Sequence, residues 1–250
     1  MLPARPTERV VIYAVDTIDL ERMEYEGSLG PRATYAAVVD ATAISPDDSL
    51  QANLLEQGLL VPGNTLVQNP YRPQEYASIE EAGERFALDK FFIFSLLCQQ
   101  LGAEAVQIQT IEEIGQNQTR TVNVGGSQRA TGGQGEVSGL SATGQKIAAQ
   151  KDLLDTFHGG EPDIESARDL LRSHRLDGDP ILRSLVESRA QQGNPHKTRR
   201  ISVDLSEETS RVMAMAGRVK TPAFFELHAD ASAITSSSFH YRVVYLVTFP

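Results

Sequence analysis

The stretch that decides the fold is SIEEAGERFALDKFFIFSLLCQQLG, residues 78–102. Ser78 and Glu81 have the spacing of a capping box, in which each side chain accepts a hydrogen bond from the backbone N–H of the other residue at the start of a helix. Gly102 suits the left-handed position that follows the last turn of a helix. The stretch therefore predicts one helix over 78–101.

Apolar residues cover most of the circumference of this predicted helix. Six of them form one stripe at helical spacing, and three phenylalanines occupy much of the remaining surface: Ile79, Ala82, Phe86, Ile93, Leu97 and Leu101, then Phe91, Phe92 and Phe94. A helix that is apolar on most sides belongs in the interior of a core. We therefore expect the rest of the fold to pack around the 78–101 helix.

Five other segments have the β-branched or alternating composition of strands, and they lie near 9–15, 103–111, 198–205, 223–233 and 238–249. A further strand candidate spans 32–44. The prolines between 58 and 77 predict an ordered loop there, because proline cannot continue a helix or a central strand.

Helical patterns follow at 146–157, 164–176 and 180–192, and a fourth helix is expected from Ser206 to about 219. The helix over 164–176 follows Pro162-Asp163. The helix over 180–192 begins with Asp179 as N-cap and Pro180 at its first position. Because helices and strands do not alternate regularly, the sequence predicts an α+β fold. We expect a single domain over 1–250, with a mixed or antiparallel sheet packed on the central apolar helix (78–101) and an additional helical layer (146–192).

The composition limits the classes of partner. The formal net charge of −10 opposes a general affinity for nucleic acid. A basic run, His196-Lys197-Thr198-Arg199-Arg200, is more typical of a solvated strand edge than of a binding patch. Cys98 is the only cysteine, which fits a reducing compartment. Arginine outnumbers lysine eighteen to five, which is typical of a GC-rich bacterial genome, so the expected location is a bacterial cytoplasm.

The polar glycine-rich segment near 125–145 resembles a phosphate-binding loop only in part. Gly139 and Gly144 have the required spacing, but Gln145 displaces Lys146 by one position and Ile147 replaces the magnesium-binding hydroxyl. A membrane-inserting hairpin over 118–146 would need lipid-facing apolar residues at alternate positions, and the segment has few. Its composition favours an exposed mobile loop, with no constitutive membrane association.

The last 28 residues, 223–250, have the alternation of a hairpin with its turn near Ile234. That register would place Glu226 opposite Arg242 and His228 opposite His240. Two imidazoles and a carboxylate can bind zinc, but Arg242 would oppose a cation, so histidines on a wet surface are the favoured interpretation. No metal or cofactor is predicted.

The remaining candidates for chemistry are isolated. Asp16 and Asp19 follow the first strand, where acids often act in α/β enzymes. Cys98 on the apolar helix is expected to be a structural thiol. The favoured interpretation of His158 and His174 is that each complements a helix C-terminus, and that of the Asp47-Asp48 pair is a turn or a helix start.

These observations predict a non-catalytic protein-interaction or self-assembly protein, with a protein partner or a second copy of the chain as its target. The expectation depends on the lack of a convergent catalytic set in the sequence and on a long polar loop carried by a well-specified core. The polar loop and the helical layer are the expected contact surfaces. A metal-dependent hydrolase that uses Asp16 or the Glu226, His228 and His240 face is the alternative. Conditional membrane insertion of 118–146, as in a pore-forming protein, is a second alternative.

Overall fold

A computed structural model describes residues 2, 4–25, 35–43, 49–115, 119–123, 145, 147, 155–191, 196–216 and 240–250. The chain divides into two compact units, the first containing Met1–Arg85 and Glu208–Ser238, the second Phe86–Glu207 and Phe239–Pro250. Each unit has its own sheet, together with helices, so the predicted α+β class is confirmed. The expectation of a single domain stays a prediction.

The first unit contains a four-stranded sheet in the order β2-β1-β3-β4. Its strands are β1 (Val11–Val15), β2 (Ala36–Asp40), β3 (Thr65–Gln68) and β4 (Tyr76–Ser78). β1 is buried along its whole length and pairs parallel with β2 and antiparallel with β3. The helices α1 (Thr17–Tyr25) and α2 (Ser49–Glu56) belong to the same unit, and Leu50 and Leu54 of α2 contribute to its apolar core.

The prediction of a loop over 58–77 is wrong, because β3 and β4 lie within it. The five residues from Thr65 to Asn69 contain no proline, and β3 is buried throughout because β1 and β4 flank it on both edges. The prolines instead lie before β3 and in the turn that joins it to β4. Proline density therefore located the turns correctly but concealed the short strand between them.

The second unit contains a five-stranded sheet in the order β6-β5-β9-β8, and β7 also pairs with β5. The strands are β5 (Ala105–Ile114), β6 (Thr119–Asn123), β7 (Asp155–Thr156), β8 (Thr198–Asp204) and β9 (His240–Thr248). All the pairings are antiparallel. The predicted strands near 103–111, 198–205 and 238–249 are confirmed as neighbours in one sheet.

Two predictions about this architecture are wrong. The strand near 9–15 lies in the first sheet, so the expected single sheet is replaced by two. The helix predicted over 146–157 does not reach its expected end, because Asp155 and Thr156 form β7 against Val106 and Ala105. Between residues 146 and 154 only Ile147 is described, and it is helical, as is Gln145 just before the segment. The strand predicted near 223–233 lies outside the described residues.

The helix α3 (Ile79–Gln100) confirms the helix predicted over 78–101. Its end is a Schellman motif: Gly102 has φ +73°, its N–H donates to the carbonyl of Gln99, and the Ala103 N–H donates to the carbonyl of Cys98. Phe94 packs on Tyr245 of β9 with ring centroids 4.4 Å apart. The interior position of most of the helix follows from these apolar contacts.

The helices α4 (Ile164–Ser173) and α5 (Pro180–Ala190) confirm the predicted helical layer over that range, and they pack against each other. Asp179 caps α5 as predicted, since its side chain accepts hydrogen bonds from the N–H groups of Ile181 and Leu182. The other carboxylate oxygen lies 3.1 Å from the Nζ of Lys90, a fully buried lysine of α3. This layer is firmly attached to α3. A last helix, α6 (Glu207–Ala216), follows Ser206.

Candidate functional site

Asp16, one of the two acids that the alternative enzyme hypothesis considered, has a structural role. Its Oδ1 accepts the backbone N–H of Asp19 at 2.7 Å, which is the geometry of an N-cap on α1. Asp19 lies 3.9 Å from the guanidinium of Arg22, one turn further along the same helix. The two acids therefore satisfy a helix start and a helix-surface ion pair. The sequence signal for the start of α1 was this Asp-x-x-Asp spacing, which the sequence analysis considered only as a candidate for chemistry.

Asp40 is the polar residue at this end of the sheet that sequence reasoning missed. It ends β2 beside the end of β1, and its carboxylate accepts hydrogen bonds from the hydroxyls of Thr17 and Thr42 and from the N–H groups of Thr42 and Ala43. Burial opposes ionisation of Asp40, but these hydrogen bonds outweigh it and hold the pKa below its ordinary value.

The polar groups around Asp40 hydrogen-bond to one another. The Thr17 and Thr42 hydroxyls lie 2.8 Å apart and both contact Asp40, while Gln51 of α2 donates to the carbonyls of Asp40 and Ala43. The donors and acceptors thus tie the start of α1 and the end of β2 to each other and to α2. Within the described ranges no group of three histidines, cysteines or acids is placed to hold a metal ion. The cluster is best explained as a structural connection.

The predicted pairing of Glu226 with Arg242 is wrong, because other strands lie on both sides of Arg242. Arg242 lies opposite Glu112 of β5 on one edge of β9 and opposite Asp204 of β8 on the other. A strand has only two edges, so described residues of β5 and β8 occupy both positions beside Arg242. The expected charge match does occur, but with Glu112, whose carboxylate lies 3.5 Å from the guanidinium.

The proposed zinc ligands are only partly described. His240 begins β9 opposite Ile114, whereas Glu226 and His228 lie outside the described residues. The same holds for the Asp47-Asp48 pair and for nearly all of 118–146, so the metal-site and membrane-insertion hypotheses stay hypotheses. Where helices are described, none has the length and apolar composition that crossing a bilayer requires.

The other isolated candidates do not converge on one another. Cys98 is fully buried in α3, as expected of a structural thiol. His174 is the C-cap residue of α4. His158 is exposed and follows β7, so the prediction that it complements a helix end is wrong. None of these side chains forms part of a described catalytic arrangement.

An exposed apolar strip on α3 is the strongest candidate for a functional surface. Phe92 is 45% exposed and Leu96 is 47% exposed. Residues four apart lie one above the other on a helix, so the two side chains form one continuous surface. Gln99, also exposed, continues the line. We call Phe92, Leu96 and Gln99 the outward strip.

The outward strip lies on the side of α3 that faces away from the sheet. Phe91 and Phe94 contact the Tyr245 ring of β9, with centroids 6.0 and 4.4 Å away, while Lys90 faces α5. Phe92 touches only the edge of Phe91 among the described aromatic contacts, at 5.5 Å. The sequence placed all three phenylalanines in the core, because apolar composition alone does not indicate which side of a helix is covered.

No protein-family model matches this chain, and comparison with curated proteins and with solved structures gives no significant match.

Proposed function

We propose that the protein is a non-catalytic interaction or self-assembly protein of a bacterial cytoplasm, and that it binds its partner through the outward strip of α3. The observation that carries this proposal is the exposure of Phe92 and Leu96 on a helix whose other large apolar side chains are mostly buried. Contiguous exposed apolar surface is the feature that marks protein-interaction sites on folded proteins.

The energetics favour covering this strip. Removing apolar surface from water contributes about 25 cal/mol per Å², and a fully buried Phe or Leu side chain gains about 1.5–3 kcal/mol. Phe92 and Leu96 are each about half exposed, so close to half of that gain remains open to each side chain. A partner that covers both would obtain it without any rearrangement of α3.

The form of the strip suits a helical or flat apolar partner. Phe92 and Leu96 sit one turn apart on a rigid helix that is fixed at its C-terminal end by the Schellman motif at Gly102. Aromatic and leucine side chains at i and i+4 are typical anchors in helix-to-groove recognition. A rigid helix also loses little conformational entropy on binding.

Light scattering across concentration, with the protein alone and with cell extract, tests the proposal. We expect the wild-type chain to gain mass, either by self-association or by capturing a partner. The Phe92→Ser/Leu96→Ser variant should lose that gain, because it removes the apolar anchors while leaving the buried side of α3 unchanged.

Gln99→Ser provides the matched control, since it changes the same strip without removing apolar surface. It should associate like the wild type. Thermal unfolding of each variant confirms that the serine substitutions leave the fold intact. A wild-type chain that stays a strict monomer and captures nothing would contradict the proposal, as would unchanged association in the double variant.

A further inference from the structure

We propose that Arg189, Lys197 and Arg199 form an oxyanion site that takes a phosphate group, at the place where the C-terminal end of α5 meets the start of β8. This site is separate from the outward strip and does not depend on its function. The sequence run 196–200 favoured a solvated strand edge, but the sequence did not show which of its side chains share a face or which other cation lies beside them.

Arg199 lies in β8, and the exposed Lys197 immediately precedes the strand. Thr198 pairs with Thr248, and the Phe249 N–H donates to the carbonyl of Lys197 at 2.8 Å. Side chains alternate along a strand, so Arg199 and Ile201 point to one face of β8 and Thr198 and Arg200 to the other. Ile201 is buried, which identifies the first of these as the covered face.

The helix α5 lies beside Arg199 on that face. The Arg199 guanidinium donates to the Ser188 hydroxyl at 2.6 Å and to the Ser184 hydroxyl at 3.1 Å. These contacts hold the side chain of Arg199 in place and bring two serine hydroxyls to the same location. A fixed guanidinium is a better anion ligand than a freely rotating one, because less entropy is lost on binding.

Arg189 of α5 supplies the third charge. Its guanidinium carbon lies 4.2 Å from the ring centre of Phe249, whose N–H donates to the Lys197 carbonyl, and its Nε donates to the carbonyl of Leu101 at 3.3 Å. Phe249 is buried, and its hydrogen bond to the Lys197 carbonyl places it beside the start of β8. Arg189 therefore lies next to the end of β8 at which Lys197 and Arg199 are found.

This group lacks a compensating anion in the described part of the chain. No aspartate or glutamate oxygen among those residues lies within 4.0 Å of a nitrogen of Arg189, Lys197 or Arg199. Arg189 is only 8% exposed, and its buried Nη1 has no hydrogen-bond partner there. Desolvation lowers the pKa of this guanidinium. The Leu101 carbonyl and the Phe249 ring offset part of its charge, but neither carries a full negative charge.

A phosphate group fits these donors. Guanidinium groups match phosphate oxygens in geometry, and Lys197 adds an exposed ammonium. The charge of Arg189 is weakly screened because it is buried, so it adds to the attraction at the two more accessible cations. The overall charge of −10 opposes extended polyanions. The local cluster therefore favours a single phosphate or pyrophosphate group over a nucleic acid.

Calorimetric titration of the full chain with pyrophosphate tests the site. We expect Lys197→Gln/Arg199→Gln to weaken binding by about tenfold or more. The matched control is Arg183→Gln/Arg200→Gln, which removes the same charge from an exposed position of α5 and from the opposite face of β8. The control should stay within about twofold of the wild type. Lys197→Gln alone, at an exposed position, provides a second variant should Arg199→Gln impair folding.

A second arm identifies the source of the phosphate. Sedimentation with vesicles of phosphatidylglycerol, compared with phosphatidylcholine, reports headgroup binding, whereas pyrophosphate titration reports a free phosphate ligand. Binding in either arm that is lost in the Lys197 and Arg199 variants and retained in the control supports the site. The proposal is overturned by a wild-type chain that binds neither probe, or by equal losses in the test and control variants.

Discussion

At the residue scale, Asp40 determines how pH acts on the first unit. Its pKa is held below the ordinary value by the Thr17 and Thr42 hydrogen bonds. A carboxyl with a depressed folded pKa contributes stability above its unfolded pKa, near 3.9, and that contribution is lost as pH falls through the folded pKa. The Asp40 carboxylate therefore stabilises the fold at neutral pH and ceases to do so in acid.

We expect Asp40→Asn to lower the free energy of unfolding by about 1 kcal/mol at neutral pH, because the amide nitrogen cannot accept the Thr17 hydrogen bond. The difference from the wild type should shrink as pH falls below about 4, where the wild-type carboxyl becomes protonated. Urea unfolding at pH values on both sides of this range provides the measurement. A difference that is the same at all pH values would contradict the assignment.

The buried pair of Lys90 and Asp179 gives a second prediction. Asp179→Asn preserves the α5 cap, since asparagine caps as well as aspartate, but it leaves a buried ammonium without its carboxylate. We expect a loss of about 3–5 kcal/mol in the free energy of unfolding. Adding Lys90→Met removes the buried charge, so the double variant should be more stable than Asp179→Asn alone.

Equilibrium unfolding of the wild type, both single variants and the double variant measures this coupling. Additive losses would show that the cost lies in the cap or in packing and not in the ion pair. The cap at Asp179 was predictable from sequence, because an aspartate before Pro180 is a local signal. Its buried partner was not, since Lys90 precedes it by 89 positions in the chain.

At the element scale, the end of α3 depends on a glycine for two reasons. Gly102 has φ +73°, and a Cβ on it would lie 2.2 Å from the carbonyl oxygen of Gly160. Gly58, after α2, has φ +69° with open space around a Cβ. Substituting Gly58 reports the cost of a left-handed backbone alone, whereas substituting Gly102 reports that cost together with a steric clash.

We expect Gly58→Ala to cost about 1 kcal/mol, the price of left-handed backbone alone. Gly102→Ala should cost about 3 kcal/mol or more, because the Gly160 backbone must also move. Urea unfolding of both variants measures the difference. Equal losses in the free energy of unfolding would mean that the loop containing Gly160 moves away from the new Cβ without an energetic cost.

The bounds of α3 were predictable, but its buried face was less so. Capping signals and apolar periodicity are local, and they located the helix to within a residue at each end. Phe92 and Phe94 look equivalent in sequence, yet Phe94 packs on Tyr245 while Phe92 is exposed. The difference depends on where β9 lies, and the local sequence around 92 and 94 carries no information about that.

At the scale of the whole molecule, the chain passes from the first unit to the second within the helix α3. α3 belongs to the first unit through Arg85 and to the second from Phe86, and α6 begins at the corresponding boundary near Glu207. Helix formation is cooperative along a continuous helix. We therefore expect both units to unfold in one transition, as the single-domain prediction requires.

Hydrogen exchange in increasing urea measures this cooperativity through the buried amides of β1 in the first unit and β9 in the second. Coincident loss of protection in the two strands would support a single cooperative domain. Protection that is lost at clearly different urea concentrations would show that the units unfold separately, and would contradict the single-domain prediction.

The sequence by itself determined the α+β class, the helix over 78–101, the caps at Asp179 and Gly102, and the strands of the second sheet near 103–111, 198–205 and 238–249. Each of these depends on spacing and turn residues that act within a few positions. Only the tertiary structure decided that 9–15 belongs to a separate sheet, that Arg242 faces Glu112, that Phe92 lies outside the core, and that Arg199 bonds to the serines of α5. Strand pairing is a competition among distant segments for two edges, and its outcome fixes which side chains meet.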